Sequence, residues 1–280
     1  MEFQYELLLV CGSITRNSHD NEMPNLLRRT IVNTTFTRKG PIDNIGNSRI
    51  EKSCANCFVR SQCLIPTIPE DERTKLTGYI HYRVNKPKGQ IIYTNGDSFS
   101  SIFMIASGAL KSEVGLSNGH GQIMDFHFPG EIMGLDGFQN WHHHTDAIAL
   151  ENIELCTINL KKFNGKLVET PVFRDNLFSA LSQYVNKLNQ HLMAMGSLKA
   201  DKKLAWFLYG ISERISTLGL HANEYNLQMS REDIASYLGL KIETISRSFT
   251  QLHDLGLIES TNRRVNITNP KKLNEMINFY

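Results

Sequence analysis

The sequence contains no long apolar run. Nothing in its 280 residues approaches the roughly 18 consecutive apolar residues of a membrane-spanning helix, so no membrane partner is expected. A charge imbalance is missing too. The formal net charge is +2, and nucleic-acid binding would have to rest on local arrangement rather than on a strongly basic whole. There is no glycine loop of the P-loop or dinucleotide type, and no nucleophile–base pair in motif context, so an enzyme is not expected. Cysteine is scarce: five residues, odd in number and unevenly spaced. In a reducing compartment such a set points to metal ligation or redox chemistry rather than to a disulfide framework. The apolar run Leu7–Cys11 follows Glu2 and Glu6 and is too short for the core of an export signal, so the expected location is cytoplasmic.

What is present is a globular composition, 41% apolar, in a chain long enough for two domains and an appendage. Residues 1–50 hold a basic patch at Leu26-Leu27-Arg28-Arg29 and a polar tract around Asp43–Ser48, but no sustained period; a poorly ordered extension is expected. Residues 51–168 carry the cysteine cluster and then, from about Lys86 to Leu160, short alternating segments punctuated by glycines. Gln90–Tyr93, Ser101–Ile105, Ile123–Phe128 and Ile153–Ile158 read as strands of an antiparallel barrel or jelly roll. Over residues 169–199 the period lengthens. Leu177, Leu181, Tyr184, Leu188, Leu192 and Met195 recur at steps of three and four on one long helix. Such a stripe can pack on the chain's own barrel, but its length and its Asn, Gln, Lys and Ser flanks favour a seam facing a second copy. Residues 200–280 are helical in period and end in a short β-patterned tail, Leu257–Ile258 and Val265–Ile267.

The sharpest local pattern is Met229–Leu252. Ser230 can cap a first helix, with Asp233 at capping-box spacing. Ile234, Ala235 and Leu238 form its apolar face, and Gly239 supplies a tight turn. On the helix that follows, Ile242, Ile245, Phe249 and Leu252 share one side, while Glu243, Ser246 and Arg247 share the other. A helix-turn-helix needs this layout: one face buried, and a polar N-terminal face for the major groove. Arg can bond bidentately to guanine, Glu can accept from cytosine, and Ser serves either. An ordinary amphipathic pair with a solvated face has the same periodicity. The basic segment after it, with Arg263 and Arg264 at the tip of a hairpin, has the character of a phosphate-contacting wing and favours the DNA reading.

Cys54-x2-Cys57-x5-Cys63 gathers three thiols within ten residues, and Cys156 stands far away on an expected strand. Four thiolates can hold a [4Fe–4S] cluster or a structural zinc ion. Zinc sites draw on paired short spacings, so a distant fourth ligand speaks for the cluster, with zinc left open. Cys11 has no neighbour at ligand spacing.

Together these segments resemble the FNR branch of the cyclic-AMP receptor protein (CRP) family from about Cys54 to Ile267. The resemblance is carried by Ser53-Cys54-Ala55-Asn56-Cys57, Cys63 and the interval to Cys156, by Gly130-Glu131-Ile132-Met133-Gly134, and by Ala200-Asp201-Lys202-Lys203-Leu204-Ala205. Its most specific piece is Leu238-Gly239-Leu240, one residue, then Ile242-Glu243-Thr244-Ile245-Ser246-Arg247. The resemblance implies an α+β architecture: an N-terminal β-roll, jelly-rolled like a cyclic-nucleotide-binding domain, a long dimerisation helix and a C-terminal winged helix-turn-helix. It implies that Cys54, Cys57, Cys63 and Cys156 hold an oxygen-labile [4Fe–4S] cluster. With the cluster intact, a homodimer binds an inverted repeat resembling TTGAT–ATCAA on double-stranded DNA and recruits RNA polymerase as an activator. Glu243, Ser246 and Arg247 inherit base reading, and the loop Gly115–Gln122 is a candidate for polymerase contact. A regulator with a structural metal or with nitric oxide as its signal, and an iron–sulfur electron carrier, are the alternatives.

Three departures from the family pattern stand out. Cyclic-nucleotide members place an Arg-Ser pair after the glycine-rich loop; here the segment reads Trp141-His142-His143-His144-Thr145-Asp146, so no cyclic nucleotide is expected to bind. The three histidines lack a carboxylate or cysteine at ligand spacing and are expected to do ordinary loop work. Leu188 occupies the place of an acidic residue on the dimer helix, which would let the protein dimerise partly without its cluster. Phe58, beside Cys57, either shields a cluster from oxygen or packs on the barrel.

Overall fold

Alternating inward apolar side chains along eight short segments build a two-sheet β-roll in this computed structural model. It describes residues 57–65, 67–69, 71–72, 80–115, 121–161 and 170–277, all within one compact unit, Thr34–Tyr280. The extension 1–50, Cys11, Cys54 and residues 116–120 of the expected polymerase-contact loop lie outside the described residues. The strands are β1 (Ile80–Lys86), β2 (Ile91–Tyr93), β3 (Ser101–Ser107), β4 (Leu110–Gly115), β5 (Gly121–His127), β6 (Ile132–Met133), β7 (Asp146–Ala149) and β8 (Ile153–Asn159). They form one sheet of order β1-β8-β3-β6 and a second of order β2-β7-β4-β5, with antiparallel pairing in both. Ile105, Met133, Ile153 and Leu155 from the first sheet meet Tyr93, Leu110, Ala147 and Ala149 from the second, and this shared face is the inner core. The β3–β4 corner requires glycine: Gly108 has φ +84, and a Cβ there would lie 2.5 Å from Ile153 Cγ2.

A 27-residue helix, α1 (Pro171–Ser197), leaves the roll. Proline suits its first turn. The Val172 N–H donates to the carboxylate of Glu72 at 3.1 and 3.3 Å, which places a negative group at the positive end of the helix. Then follow α2 (Ala200–Thr217), β9 (Glu224–Asn226), α3 (Arg231–Tyr237), α4 (Ile242–Asp254), β10 (Ile258–Thr261), β11 (Arg264–Ile267) and α5 (Pro270–Ile277). Strands β9, β10 and β11 pair in the order β10-β11-β9 beside the helices, the winged helix-turn-helix layout expected from the sequence. The apolar core of this half is continuous with barrel side chains Ala109, Ile123, Phe126, Phe128 and Leu150. Among the described residues no helix is long and apolar enough to cross a membrane.

One expectation about α1 needs correcting. Leu177 is 3% exposed and sits in a core cluster with Ile102, Met104, Leu135 and Ile158 of the roll, and Leu181 and Tyr184 pack against the same cluster. Leu177 and Tyr184 are therefore committed to their own chain. The apolar side chains left open on α1 are Phe178 at 60%, Val185 at 53% and Leu192 at 67% exposure. These three are seven residues apart, with Leu181, Leu188 and Met195 interleaved at steps of three and four, which is heptad spacing. The helix carries two adjoining apolar stripes, and a run of three-and-four steps alone does not separate them.

Candidate DNA-reading face and cysteine site

Helix α3 begins with the capping box that its sequence spells. The Asp233 N–H donates to Ser230 Oγ at 3.0 Å, and Asp233 Oδ2 accepts from the Ser230 N–H at 2.9 Å. Gly239 turns the chain with φ +61. Helix α4 then buries Ile245, Phe249 and Leu252 and leaves Glu243 and Arg247 exposed and Ser246 half-buried. Ile242, expected on the buried side, is 37% exposed in the first turn of α4. Arg231, which the sequence reading passed over, stacks its guanidinium 4.5 Å from the Phe249 ring centroid and donates to Ser246 Oγ at 3.5 Å. It adds a cation beside the reading face.

The two wing arginines are not equivalent. Arg263 lies in the β10–β11 turn after Asn262, whose φ is +56, and donates to the Gln228 carbonyl at 3.1 Å while remaining exposed. Arg264, expected at the tip, is instead the first residue of β11 and is ion-paired with Glu224 of β9. Its charge is already met within the chain, so Arg263 is the better placed of the two for a phosphate.

Cys57 and Cys63 precede the roll, and Cys156 lies within it. Cys57 and Cys63 bracket a single 3₁₀ turn, Arg60–Gln62, and Cys156 lies on β8 opposite Met104 of β3; all three are half-buried. Cys63 and Cys156 pack against the same apolar cluster. As thiolates, Cys57 and Cys156 would repel one another and attract the Arg83 guanidinium. Burial pushes the Cys156 thiol up, and the Arg83 N–H and guanidinium pull the other way. Among the described residues no three His, Cys, Asp or Glu side chains converge closely enough to hold one metal ion. A single zinc ion needs every ligand about 2.3 Å from one point, whereas a four-iron cluster spreads its thiolates over its corners. Phe58 is 48% exposed, so it is not sunk into the barrel.

The cysteine loop is tied to both halves of the chain. Asn176 Nδ2 on α1 donates to the Leu64 carbonyl at 3.1 Å and to Thr67 Oγ1 at 2.8 Å. Gln62, next to Cys63, donates to the Thr217 carbonyl at the end of α2 at 3.1 Å. Farther along α1, Lys187 Nζ stands 2.7 Å from Asp125 and 3.1 Å from Glu131, and Arg214 of α2 stands 3.4 Å from Glu131. Burial opposes charge on Asp125 and Glu131, but Lys187 leads the cations that outweigh it and hold both carboxyls below the ordinary range. On the outer face of the roll, Lys111 pairs with Asp233 at 3.0 Å, and the Ile123 N–H donates to Ser236 Oγ at 2.9 Å. The capping residue of α3 is thus also its tether to the barrel.

The histidine loop is structural in its contacts. His143 is buried, stacked on Tyr93 at 3.6 Å between centroids, with Nδ1 3.2 Å from Asp136; His142 and His144 each bond to Asn140. Between roll and helix, a cavity of ≈ 10 Å³ is lined by Tyr93, Ser112, His127, Asp136, Thr145 and Tyr184. That is room for about one water molecule.

The Crp-like helix-turn-helix domain model matches residues 202–276, and the cyclic nucleotide-binding domain model matches residues 83–169. The transcriptional regulatory protein btr of Bordetella pertussis is 33% identical over 224 residues, which is 80% of this chain and 93% of that protein. The chain belongs to the CRP/FNR family of transcription regulators. An anaerobic regulatory protein of Aggregatibacter actinomycetemcomitans is 31% identical over 223 residues, 80% of this chain and 87% of its own length. Among solved structures, FixK2 from Bradyrhizobium japonicum superposes with a TM-score of 0.64 at 26% identity, covering 71% of this chain and 98% of that one. For a CRP/FNR regulator, the iron–sulfur electron carrier considered from the sequence no longer applies: the matched domains make this a transcription regulator.

The junction of roll, α1 and α2 gives this regulator a pH dependence. Burial drives the His127 imidazole below its ordinary value, against the pull of Asp125, 3.9 Å away, and of Glu131. A group whose folded value is lowered contributes stability above its unfolded value, about pH 6.5 for histidine, and that stability is lost as pH falls toward the folded value. His191 shifts in the same direction through burial. The thermal midpoint should therefore be lower near pH 5.5 than near pH 7.5, with a shallower slope in His127→Asn. Identical slopes in the two proteins would show that His127 is not the group responsible.

Proposed function

We propose that this regulator senses oxygen through a [4Fe–4S] cluster held by Cys54, Cys57, Cys63 and Cys156, and that the loaded protein binds an inverted repeat as a homodimer. The observation that carries the reading is that Cys63, from a loop tied to α1 and α2, and Cys156, on the roll, pack against one apolar cluster. Three local cysteines with a distant fourth favour a cluster over a zinc ion, whose ligands come from paired short spacings. When bound, the group supplies an oxygen-labile cross-link among the four thiolates. The chain's own residues do the rest. Asn176 and the apolar contacts of Leu64, Ile65 and Ile68 hold the loop to α1. The exposed stripe Phe178–Val185–Leu192 offers a seam to a second copy, with Leu188 beside it. A leucine there adds no like-charge repulsion, so dimers should persist in part without the cluster. The loop 141–146 offers no guanidinium to a cyclic phosphate, which supports a protein that does not answer to cyclic nucleotides. A cytoplasmic, non-enzymatic activator that meets RNA polymerase completes the reading.

Protein purified without oxygen should show a broad visible band, about four irons and matching sulfide per chain, and bleaching in air. It should sediment as a dimer, with a dimer fraction persisting after metal removal. A colourless protein carrying zinc, even after reconstitution, would leave the regulator and sink the oxygen sensor, and a purely monomeric apo-protein would sink the role given to Leu188.

The same reading assigns bases to Glu243, Ser246 and Arg247 and a phosphate to Arg263, with Arg264 in a supporting pair. Arg247→Ala should weaken binding to the specific repeat by about 1–3 kcal/mol in a titration while leaving binding to unrelated DNA nearly unchanged. Equal losses on both DNAs would reassign Arg247 to the backbone.

A further inference from the structure

Arg83 occupies an irregular position that its own strand does not need. β1 and β8 pair as His81↔Thr157 and resume as Val84↔Leu155, so Tyr82 and Arg83 stand against Cys156 alone. This is a β-bulge, a device that re-aims a side chain. Arg83 also has φ +54, a region that non-glycine residues adopt at a cost and keep where the surroundings enforce it. Its Nη1 is 2.5 Å from Glu154 Oε2, and Glu154 lies two residues before Cys156, on the same face of β8. The bulge sets its backbone directly across from Cys156, and thiolates at Cys156 and Cys57 would be drawn to its guanidinium.

An ion pair of half-exposed side chains would by itself contribute little to stability. Gathering several thiolates in one place creates a like-charge problem, and a cation that cannot lose its proton offsets it. Glu154 engages one nitrogen of the guanidinium, Nη1. We propose that Arg83, anchored by Glu154, is a positioning residue of the cysteine site, holding a fixed positive charge beside Cys156 so that the bound cluster is retained. The inference rests on the cluster reading above, and it concerns a residue pair outside the four ligands.

The test is iron release from reconstituted full-length protein to excess ferrous chelator, followed by visible absorbance without oxygen. Arg83→Leu should release iron about tenfold faster than the unsubstituted protein, the scale of losing a ligand's outer partner. Arg83→Lys, which keeps the charge, should stay close to the parent, and Glu154→Gln should fall between. A folded, coloured Arg83→Leu that releases iron at the parent rate overturns the proposal. If Arg83→Leu does not fold by circular dichroism, Glu154→Gln decides: release at the parent rate overturns the proposal just the same. Failure of the parent itself to take up iron and sulfide would instead overturn the cluster reading, and the inference with it.

Discussion

The grip of the cysteine loop on the long helix is the constraint on which the rest of the molecule depends. Leu64, Ile65 and Ile68 of the loop region, Ile158 and Cys156 of β8, and Phe173 and Leu177 of α1 belong to one apolar cluster. Asn176 closes it with two hydrogen bonds to the loop, and Glu72 holds the N-terminus of the helix. Packed interiors transmit displacement rather than absorb it. A change in where Cys57 and Cys63 sit is therefore a change in the seating of the first turns of α1, whose adjoining face carries the open heptad stripe. In the proposed reading, sensing and pairing share one helix, on adjoining faces.

A second set of contacts passes position from α1 to the DNA-reading half. Lys187 and Arg214 meet Asp125 and Glu131 where roll, α1 and α2 come together, and Lys111 holds the capping carboxylate of α3. Buried charge of this kind is weak as a source of stability, because desolvation offsets much of the attraction. It is selective about geometry, since a cation drawn away from Asp125 leaves a buried carboxylate without compensation. The network thus favours one arrangement of the recognition helix relative to the roll over near neighbours. Gln62, bonded to the end of α2, adds a direct line from the cysteine loop.

Much of this was legible in the sequence where local chemistry decides structure. The capping box at Ser230 and Asp233, the turn at Gly239 and the buried face Ile245–Phe249–Leu252 depend on neighbours a few residues apart, and the strand texture of the roll follows from period-two alternation. The stripe on α1 was legible only in part. Its steps of three and four fit both the barrel-facing Leu177 and Tyr184 and the open Phe178 and Val185, which lie one position away. Choosing between them requires knowing which side of the helix the roll covers. Arg264 was misplaced for a similar reason: its partner Glu224 is 40 residues away in sequence, on a three-residue strand too short to show a period. The bulge at Arg83 and the charge network at Lys187 depend on long-range register, which no local pattern encodes.

Hydrogen exchange along α1, compared between protein loaded without oxygen and protein stripped of metal, tests the central claim most directly. If the cysteine loop seats the helix, loading should raise protection in residues 57–68 and 171–184 together, and the gain should continue along the seam to Leu192. Protection that changes in the loop alone, with α1 indifferent to the state of the cysteines, would contradict the account.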